Sequence, residues 1–273
     1  MRRPDPEIHL LVAALEQLSI AVAIRPWDDT TAWESVPLVV VRSPWDYTEA
    51  HDEFVSWLRS VAAVTQLINP LEVLEWNSHK SYLLDLASAG VSTVATTLVH
   101  RGASDADQAH ALATYPGEIV IKPAVSVGAI GALRADSSSA TAESHLAELA
   151  LAGDVLVQPL AVAVLDGGES SLIYFGGQFS HAIRKIPAAG DYRVQEHHGG
   201  RVVAHEPSDD EFAVSAAALA AAPATMAYAR VDLVQVEGSA AVMELEAIEP
   251  QLFFDHDAHA ASRFAAHIAE LLR

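Results

Sequence analysis

Two segments near the C-terminal end, YARVDLVQ (Tyr228 to Gln235) and VMELEAIEP (Val242 to Pro250), constrain this chain more than any other feature. A reversal centred on Gly238 sets Asp232 opposite Glu244 and Arg230 opposite Glu246. Side chains alternate between faces along a strand, so Asp232, Glu244 and Glu246 then project from one side of the hairpin. Facing carboxylates repel, which is unfavourable unless a cation sits among them. Hard oxygen ligands in such a cluster suit Mg²⁺, commonly held by one or two carboxylates together with substrate phosphates. A solvated acidic hairpin, each carboxylate in water, is the other reading of the same residues.

At 273 residues the chain is long enough to bury a sizeable core in two or three lobes. Half of its residues are apolar and 19% are charged, the balance of a globular protein rather than a disordered tail. No apolar run approaches the roughly 18 residues of a spanning helix, and Met1-Arg2-Arg3-Pro4 lacks the apolar core of a signal peptide. The absence of cysteine excludes disulfides and thiolate metal sites and fits a cytoplasmic location. Sixteen basic against 36 acidic residues give a formal charge of −20, a surface that repels nucleic acid and anionic membranes. A phosphate-bearing ligand must therefore be held by a few specific lysines or arginines and by backbone N–H groups.

Ile8, Leu11, Val12, Leu15 and Leu18 have the spacing of one helix face. Short β-rich runs follow at Ile20 to Ile24 and Leu38 to Val41, then a helix over Glu49 to Val61 and a further run at Leu67-Ile68. This alternation predicts a βα lobe over residues 1–92. A helix from Ser78 to Ala89 stops at Gly90. Residues 93–158 read as a compact α+β unit with strands EIVIKP (Glu118 to Pro123) and VLVQPL (Val155 to Leu160) around a helix near Ser139 to Ala150. Residues 159–273 hold a hairpin turning at Gly176-Gly177, a helix around Asp209 to Ala222, the acidic hairpin and a closing helix.

Several residues have the chemistry of an anion site. Lys122 ends an apolar strand, and the loop after it, with Ser126, Gly128 and Gly131, is small enough for backbone N–H groups to approach an anion. An ordinary surface turn has the same composition, and neither a Walker A loop nor GxGxxG is present. Lys80 is placed at the start of a helix, where a cation is disfavoured by the dipole unless an anion shares the site. Arg193, in the polar segment GDYRVQEHHGG, offers a bidentate fork. Arg42, Ser43 and Asp46 follow a first-lobe strand end, where α/β sheets place ligands. The His and Asp residues of Asp255 to His259, with His197-His198, raise a metallohydrolase reading, but no HExxH or repeated His spacing accompanies them. Asp255 and Asp257 also read as the cap and first-turn acids of the last helix.

Taken in order, N-S-H-K-S-Y-L, I-V-I-K-P with its small-residue loop, V-L-V-Q-P-L, G-E-S-S-L-I-Y-F-G-G, G-D-Y-R-V-Q-E-H-H-G-G, R-V-D-L-V and M-E-L-E-A-I-E-P resemble the ATP-grasp carboxylate–amine ligases. The glutathione synthetase and ribosomal-protein glutamate ligase branch is the most similar. Within it, VVVRSPWDYTEAHDEF, EWNSHKSYLLDLASAGV and MELEAIEP look like the cycloserine-forming cyclo-ligases. The resemblance implies an α/β and α+β fold in which an N-terminal βα lobe precedes two α+β lobes clasping ATP. It implies ATP and two Mg²⁺ ions, a small-molecule carboxylate, an amine-type nitrogen and often a homo-oligomer. An O-ureidoserine-like amino acid undergoing ring closure is the implied substrate type. A nucleotide-binding protein without catalysis is the competing reading.

By the same resemblance, Lys80 and Lys122 grip the nucleotide phosphates, and the loop from Ser126 through Gly128 to Gly131 is a flap. Gln158 and Leu160 form the hinge that meets adenine, and Glu169 lies near adenine and ribose. Arg193, with Lys122 and Arg230, supplies the cations of the reacting centre, and Asp232, Glu244 and Glu246 bind metal. Glu246 departs from the Asn of many relatives, and Ser171 from the Arg of the glutamate ligases. Relatives also open with a strand before the first helix. This chain begins almost inside that helix, leaving the expected first-lobe sheet a strand short.

Overall fold

The computed structural model describes residues 4–195 and 198–273. Its described strands form three sheets. Strands β1 (Leu38–Val40) and β2 (Gln66–Ile68) pair in parallel, with helix α2 (His51–Ala62) crossing between them. α2 buries Phe54, Leu58 and Val61, the spacing of a single face. The expected strand at Ile20 to Ile24 does not form, and Val22 and Ile24 remain exposed. β-branched composition makes a strand only where a neighbour completes the ladder. Helix α1 (Ile8–Gln17) turns Leu11, Ala14 and Leu15 inward and leaves Leu18 exposed. Its apolar face joins a core with the last helix, α9 (Ala260–Leu271), so the chain's two ends pack together.

The helix predicted from Ser78 starts later. A separate helix, α3 (Leu71–Asn77), comes first, and the chain turns through residues 78–81 before α4 (Tyr82–Ser88). Lys80 therefore lies in the turn and not at a helix start, with its backbone N–H donating to the Ala124 carbonyl at 2.8 Å. The α3–α4 segment is stitched to the acidic hairpin instead of continuing as one helix.

A four-stranded antiparallel sheet, in the order β3-β6-β4-β5, comprises β3 (Thr97–Val99), β4 (Glu118–Pro123), β5 (Leu133–Asp136) and β6 (Val155–Pro159). Helices α5 (Asp105–Thr114) and α6 (Ala140–Ala152) cover it, sharing a core with Ile119, Ile121, Val155 and Val157. A short helix, α7 (Val164–Gly167), leads to the third sheet, ordered β11-β10-β7-β8-β9. It contains β7 (Glu169–Phe175), β8 (Gln178–Ile186), β9 (Arg201–Ala204), β10 (Tyr228–Val236) and β11 (Ser239–Glu246), with α8 (Asp209–Ala220) before β10. Every residue of β7 is buried, as expected of a central strand covered on both faces.

The outer edge of β11 is covered by the chain's first third. Asn77 Nδ2 donates to the Leu245 carbonyl at 2.7 Å, and Asn77 Oδ1 accepts from Ala247 N–H at 2.8 Å. Tyr82 Oη accepts from Leu245 N–H, and Val242 exchanges backbone bonds with Ser92 and Val94. Deeper still, Asn69 is fully buried and bonds Ala227, Tyr228 and Ala247 with both ends of its amide. These bonds satisfy an edge that would otherwise carry unpaired polar groups. They also fix the strand that carries Glu244 and Glu246.

Candidate active site

In the acidic hairpin, Asp232 pairs with Glu244 and Arg230 with Glu246, the expected partners. The route to that register differs from the simple reversal. Glu237 and Gly238, at φ 51° and 85°, make a two-residue turn of the mirror-image type that suits twisted hairpins. A bulge between Leu233↔Val242 and Asp232↔Glu244 then leaves Met243 as the extra residue. Without it, Asp232 would face Met243, and Glu244 and Glu246 would fall on the opposite side of the sheet. The bulge brings all three acids to one face, and their ligand oxygens lie within 4.8 Å of one another.

Basic side chains separate these carboxylates. Lys80 and Lys122 Nζ both reach Glu244 Oε1, at 3.3 and 3.1 Å. Arg230 forks onto Asp232 through Nε at 2.9 Å and Nη2 at 2.8 Å, and also contacts Glu246. Lys185, which the sequence did not single out, donates to Asp232 Oδ2 at 3.1 Å and pairs with Glu169. Ser171 donates to Asp232 Oδ1. The cations thus come from the α3–α4 turn (Lys80), the four-stranded sheet (Lys122) and the five-stranded sheet (Lys185 and Arg230). The three carboxylates supply hard oxygen donors on one face, a set that fits Mg²⁺.

Burial raises the Glu244 carboxyl, but Lys80 and Lys122 outweigh it and hold the group at about 2. Asp232 is likewise held well below the usual carboxylate range, with Arg230 and Lys185 overcoming its burial. Two acids move the other way. Burial pushes Glu169 up to about 7 against the pull of Lys185. Burial and the charge of Glu246 push Glu249 up to about 8. A folded pKa above the unfolded one favours the protonated fold, so this contribution is complete below about pH 4.5 and lost as pH rises through about 8. Thermal melts of the ligand-free protein should show Glu249→Gln more stable than wild type at pH 9, with the advantage shrinking towards pH 5. A pH-independent difference would contradict this.

Close packing at the start of β7 keeps Lys185 in place. Gly168 has φ 74°, and a Cβ there would stand 2.2 Å from the Lys185 carbonyl oxygen. Gly168→Ala should cost about 1–3 kcal/mol through overpacking and left-handed strain, measured as a lowered unfolding midpoint. An unchanged midpoint would show that the backbone yields freely.

The other expected site residues are distributed as follows. Gln158 is buried and donates to Thr96 Oγ1 at 2.8 Å; Leu160, also buried, donates its N–H to the Glu118 carbonyl. Both lie at the end of β6, where the chain passes from the second sheet to the third. Ser126 donates to the Pro123 carbonyl, and Gly128 sits in the β4–β5 loop at φ 59° with the Ile130 side chain exposed. Glu169 opens β7 opposite Lys185 and thereby joins the charged network. Arg193 is held by Asp191 at 2.8 Å, and among the described residues no contact brings it to the acidic cluster. Of the GDYRVQEHHGG segment, Glu196 and His197 lie outside the described residues.

Arg42, Ser43 and Asp46 are engaged within the fold. Arg42 binds Asp5 and the Pro250 carbonyl, Ser43 donates to Asp5, and Asp46 accepts from the Trp27 indole. From the same loop it is Trp45 and Tyr47 that reach Glu249, through its backbone carbonyl and its carboxylate respectively. The 255–259 segment does not form a metal-type cluster among the described residues. The last helix has His259 at its N-cap and no acid in its first turn, so neither Asp255 nor Asp257 takes the expected cap or first-turn role; Asp257, two residues earlier, accepts from His259 N–H and pairs with Arg263.

Residues 1–69 match the family model described as D-cycloserine synthetase DcsG, N-terminal domain, and residues 86–234 match that of the prokaryotic glutathione synthetase ATP-grasp domain. The cycloserine biosynthesis protein DcsG of Streptomyces lavendulae is 36% identical, over 98% of this chain and 95% of its own. The chain belongs to the ATP-grasp ligases. The crystal structure of D-cycloserine synthetase DcsG superposes with a TM-score of 0.90 at 34% identity, covering 98% of this chain and 95% of that one. The ATP-grasp ligase PsnB, complexed with minimal precursor, Mg and ADP, superposes at 0.66 with 18% identity, covering 97% and 94%, and shares the fold. As an ATP-grasp ligase the chain is an enzyme of ATP-dependent C–N bond formation. Ligases of this family use ATP and Mg²⁺ in general. Among its described residues no helix is long and apolar enough to cross a membrane.

Proposed function

We propose that this ATP-grasp ligase activates the carboxylate of a small amino acid as an acyl phosphate and closes a ring through a nitrogen of the same molecule. The observation that carries the reading is the meeting of Lys80 and Lys122, from two different lobes, on one oxygen of Glu244 beside Asp232 and Glu246. Two ammonium groups so placed fit the oxygens of a polyphosphate, and the carboxylates fit the divalent ions that accompany it.

Asp232, Glu244 and Glu246 would hold Mg²⁺, which when bound neutralises phosphate charge and aligns the transferred group. Lys80 and Lys122 would move from Glu244 to the phosphate oxygens. Arg230 and Lys185 keep Asp232 ionised and oriented as a ligand. The β4–β5 loop would cover the nucleotide and keep water from the acyl phosphate. Attack of the nitrogen on the activated carbonyl carbon forms the C–N bond and breaks the C–O bond to the phosphoryl group, with the nitrogen's proton passing to the departing inorganic phosphate and ADP as the other product. Catalysis rests on positioning and charge neutralisation, with no enzyme nucleophile.

The ring-closing preference is supported by similarity to the cycloserine biosynthesis protein along nearly the whole chain. The test is ADP release with a panel of amino acids, O-ureidoserine and short peptides. Release with O-ureidoserine, accompanied by one cyclic product, is the expected result. Release with two separate substrates only would replace ring closure by intermolecular ligation. ATP binding without turnover on any compound would remove the catalytic reading.

A further inference from the structure

One buried carboxylate of the site is left without a cation. Glu244 has Lys80 and Lys122, Asp232 has Arg230 and Lys185, Glu246 has Arg230, and Glu169 has Lys185. Glu249 is buried, at 8% exposure, yet among the described residues it forms no ion pair. Its carboxylate receives one hydrogen bond, from Tyr47 Oη at 3.3 Å. Lys80 acts on it electrostatically but is committed to Glu244. A buried carboxyl with no paired cation is costly to ionise, and a fold that keeps one leaves an acceptor for a cation that a ligand brings.

We propose that Glu249 and Tyr47 form the seat for the substrate's primary ammonium group. The assignment rests on the amino-acid reading of the preceding section. Geometry favours an ammonium over a second metal ion. Glu249 stands apart from the three acids whose oxygens converge within 4.8 Å, and its other neighbour is a neutral phenol rather than a further hard anionic donor. Glu249 follows Glu246 by three residues, so it borders the centre where the substrate carboxylate would be activated. In an α-amino acid the nitrogen lies only ~2.5 Å from the carboxyl carbon, by standard bond lengths and angles. A substrate whose carboxylate meets the phosphate beside Glu246 therefore has its ammonium within reach of the next acid along the chain.

The surroundings hold this seat in place. Trp45 Nε1 donates to the Glu249 carbonyl at 3.1 Å, and Arg42 Nη1 donates to the Pro250 carbonyl at 2.6 Å. The short 3-10 helix that carries Tyr47 (Trp45–Glu49) is thereby locked onto the segment that carries Glu249. Tyr47 is itself packed against Phe54, with ring centroids 4.8 Å apart. The nitrogen that closes the ring needs its lone pair free, whereas the ammonium held by Glu249 keeps its proton and stays out of the reaction. The seat thus sets the basic α-nitrogen of the substrate apart from the uncharged nitrogen that attacks.

The decisive measurement is calorimetric binding of O-ureidoserine and of its des-amino analogue, 3-(ureidooxy)propanoate, in the presence of a non-hydrolysable ATP analogue and Mg²⁺. Wild type should prefer the amine-bearing compound by about 10- to 150-fold, the range that about 1.5–3 kcal/mol for a charge-assisted hydrogen bond converts to. Glu249→Gln should reduce that preference to within about threefold, and Tyr47→Phe should weaken it less, while the affinity for the nucleotide and the Mg²⁺ requirement stay within twofold. A Glu249→Gln enzyme that keeps the wild-type preference overturns the proposal, as does wild type binding both compounds equally. A raised Mg²⁺ requirement in the variant assigns Glu249 to the metal centre and overturns it too. Parallel ADP-release assays separate the two levels. Turnover of O-ureidoserine with unchanged discrimination in the variant rejects the ammonium seat alone, whereas absence of both binding and turnover in wild type rejects the substrate class and the seat with it.

Discussion

Glu244→Gln lowers ATP-dependent ADP release by about 10³-fold, the scale of removing one electrostatic element from a preorganised site. The substitution keeps an acceptor for Lys80 and Lys122 but deletes the charge that both lysines share and that a divalent ion would need. Loss should appear mainly in kcat, because the metal and the lysines act most strongly as charge redistributes during phosphoryl transfer. Excess Mg²⁺ should restore part of the rate, and circular dichroism should show an unchanged fold. Turnover within tenfold of wild type would mean that Glu244 neither binds the ion nor organises the lysines.

Asn69→Ala is the substitution expected to damage the fold most. Asn69 Oδ1 accepts from Ala227 and Tyr228 N–H at 2.6 and 3.2 Å, and Nδ2 donates to the Tyr228 and Ala247 carbonyls at 2.9 Å. Alanine would leave several buried backbone groups without partners, each costing about 1–3 kcal/mol. With partial relaxation the expected total is about 3–5 kcal/mol, or a fall of roughly 8–15 °C in melting temperature for a chain of this size. The rate should fall in parallel, because Ala247 adjoins Glu246. A shift below about 3 °C in a differential scanning experiment would show that water replaces the amide without loss.

The elements that could be read directly are those whose residues carry their own pattern. Glu118 to Pro123 appears as a strand over the same residues, and the Gly176-Gly177 reversal turns where its glycines predict. The pairing of Asp232 with Glu244 was legible, but its cause was not. A two-residue turn and a bulge at Met243 together give the register that a turn centred on Gly238 would have given. Ile20 to Ile24 misled because strand composition says nothing about whether a ladder partner exists. The α3–α4 break was hidden because Asn77 and Lys80 respond to β11 and Ala124, partners distant in sequence.

Long-range partners also explain the site residues that were overlooked. Lys185 looks like one charge in an amphipathic strand, and its importance emerges only when β8 and β10 flank β7 and bring Glu169 and Asp232 to its ammonium. Glu249 lay within a quoted motif, but nothing local reveals that its carboxylate meets Tyr47 from two hundred residues away. In the opposite sense, Arg42, Ser43 and Asp46 had the residue types of a binding loop and are consumed by internal contacts.

The double grip of Lys80 and Lys122 on one oxygen of Glu244 has a consequence for the order of events. In the resting enzyme Lys80, Lys122, Lys185 and Arg230 are already paired with Glu244, Glu169, Asp232 and Glu246, four basic groups against four acidic ones, so the cleft presents little uncompensated charge to either ion on its own. Nucleotide arriving bare would draw away the lysines and strand an anion beside its own phosphates, while bare metal would evict two cations into a space with nothing to receive them. Only when both come together does each displaced charge find a new counterpart. On the proposed assignment of these residues, the enzyme would admit the metal–nucleotide complex as a single guest, through an exchange of partners rather than the filling of a vacant charge.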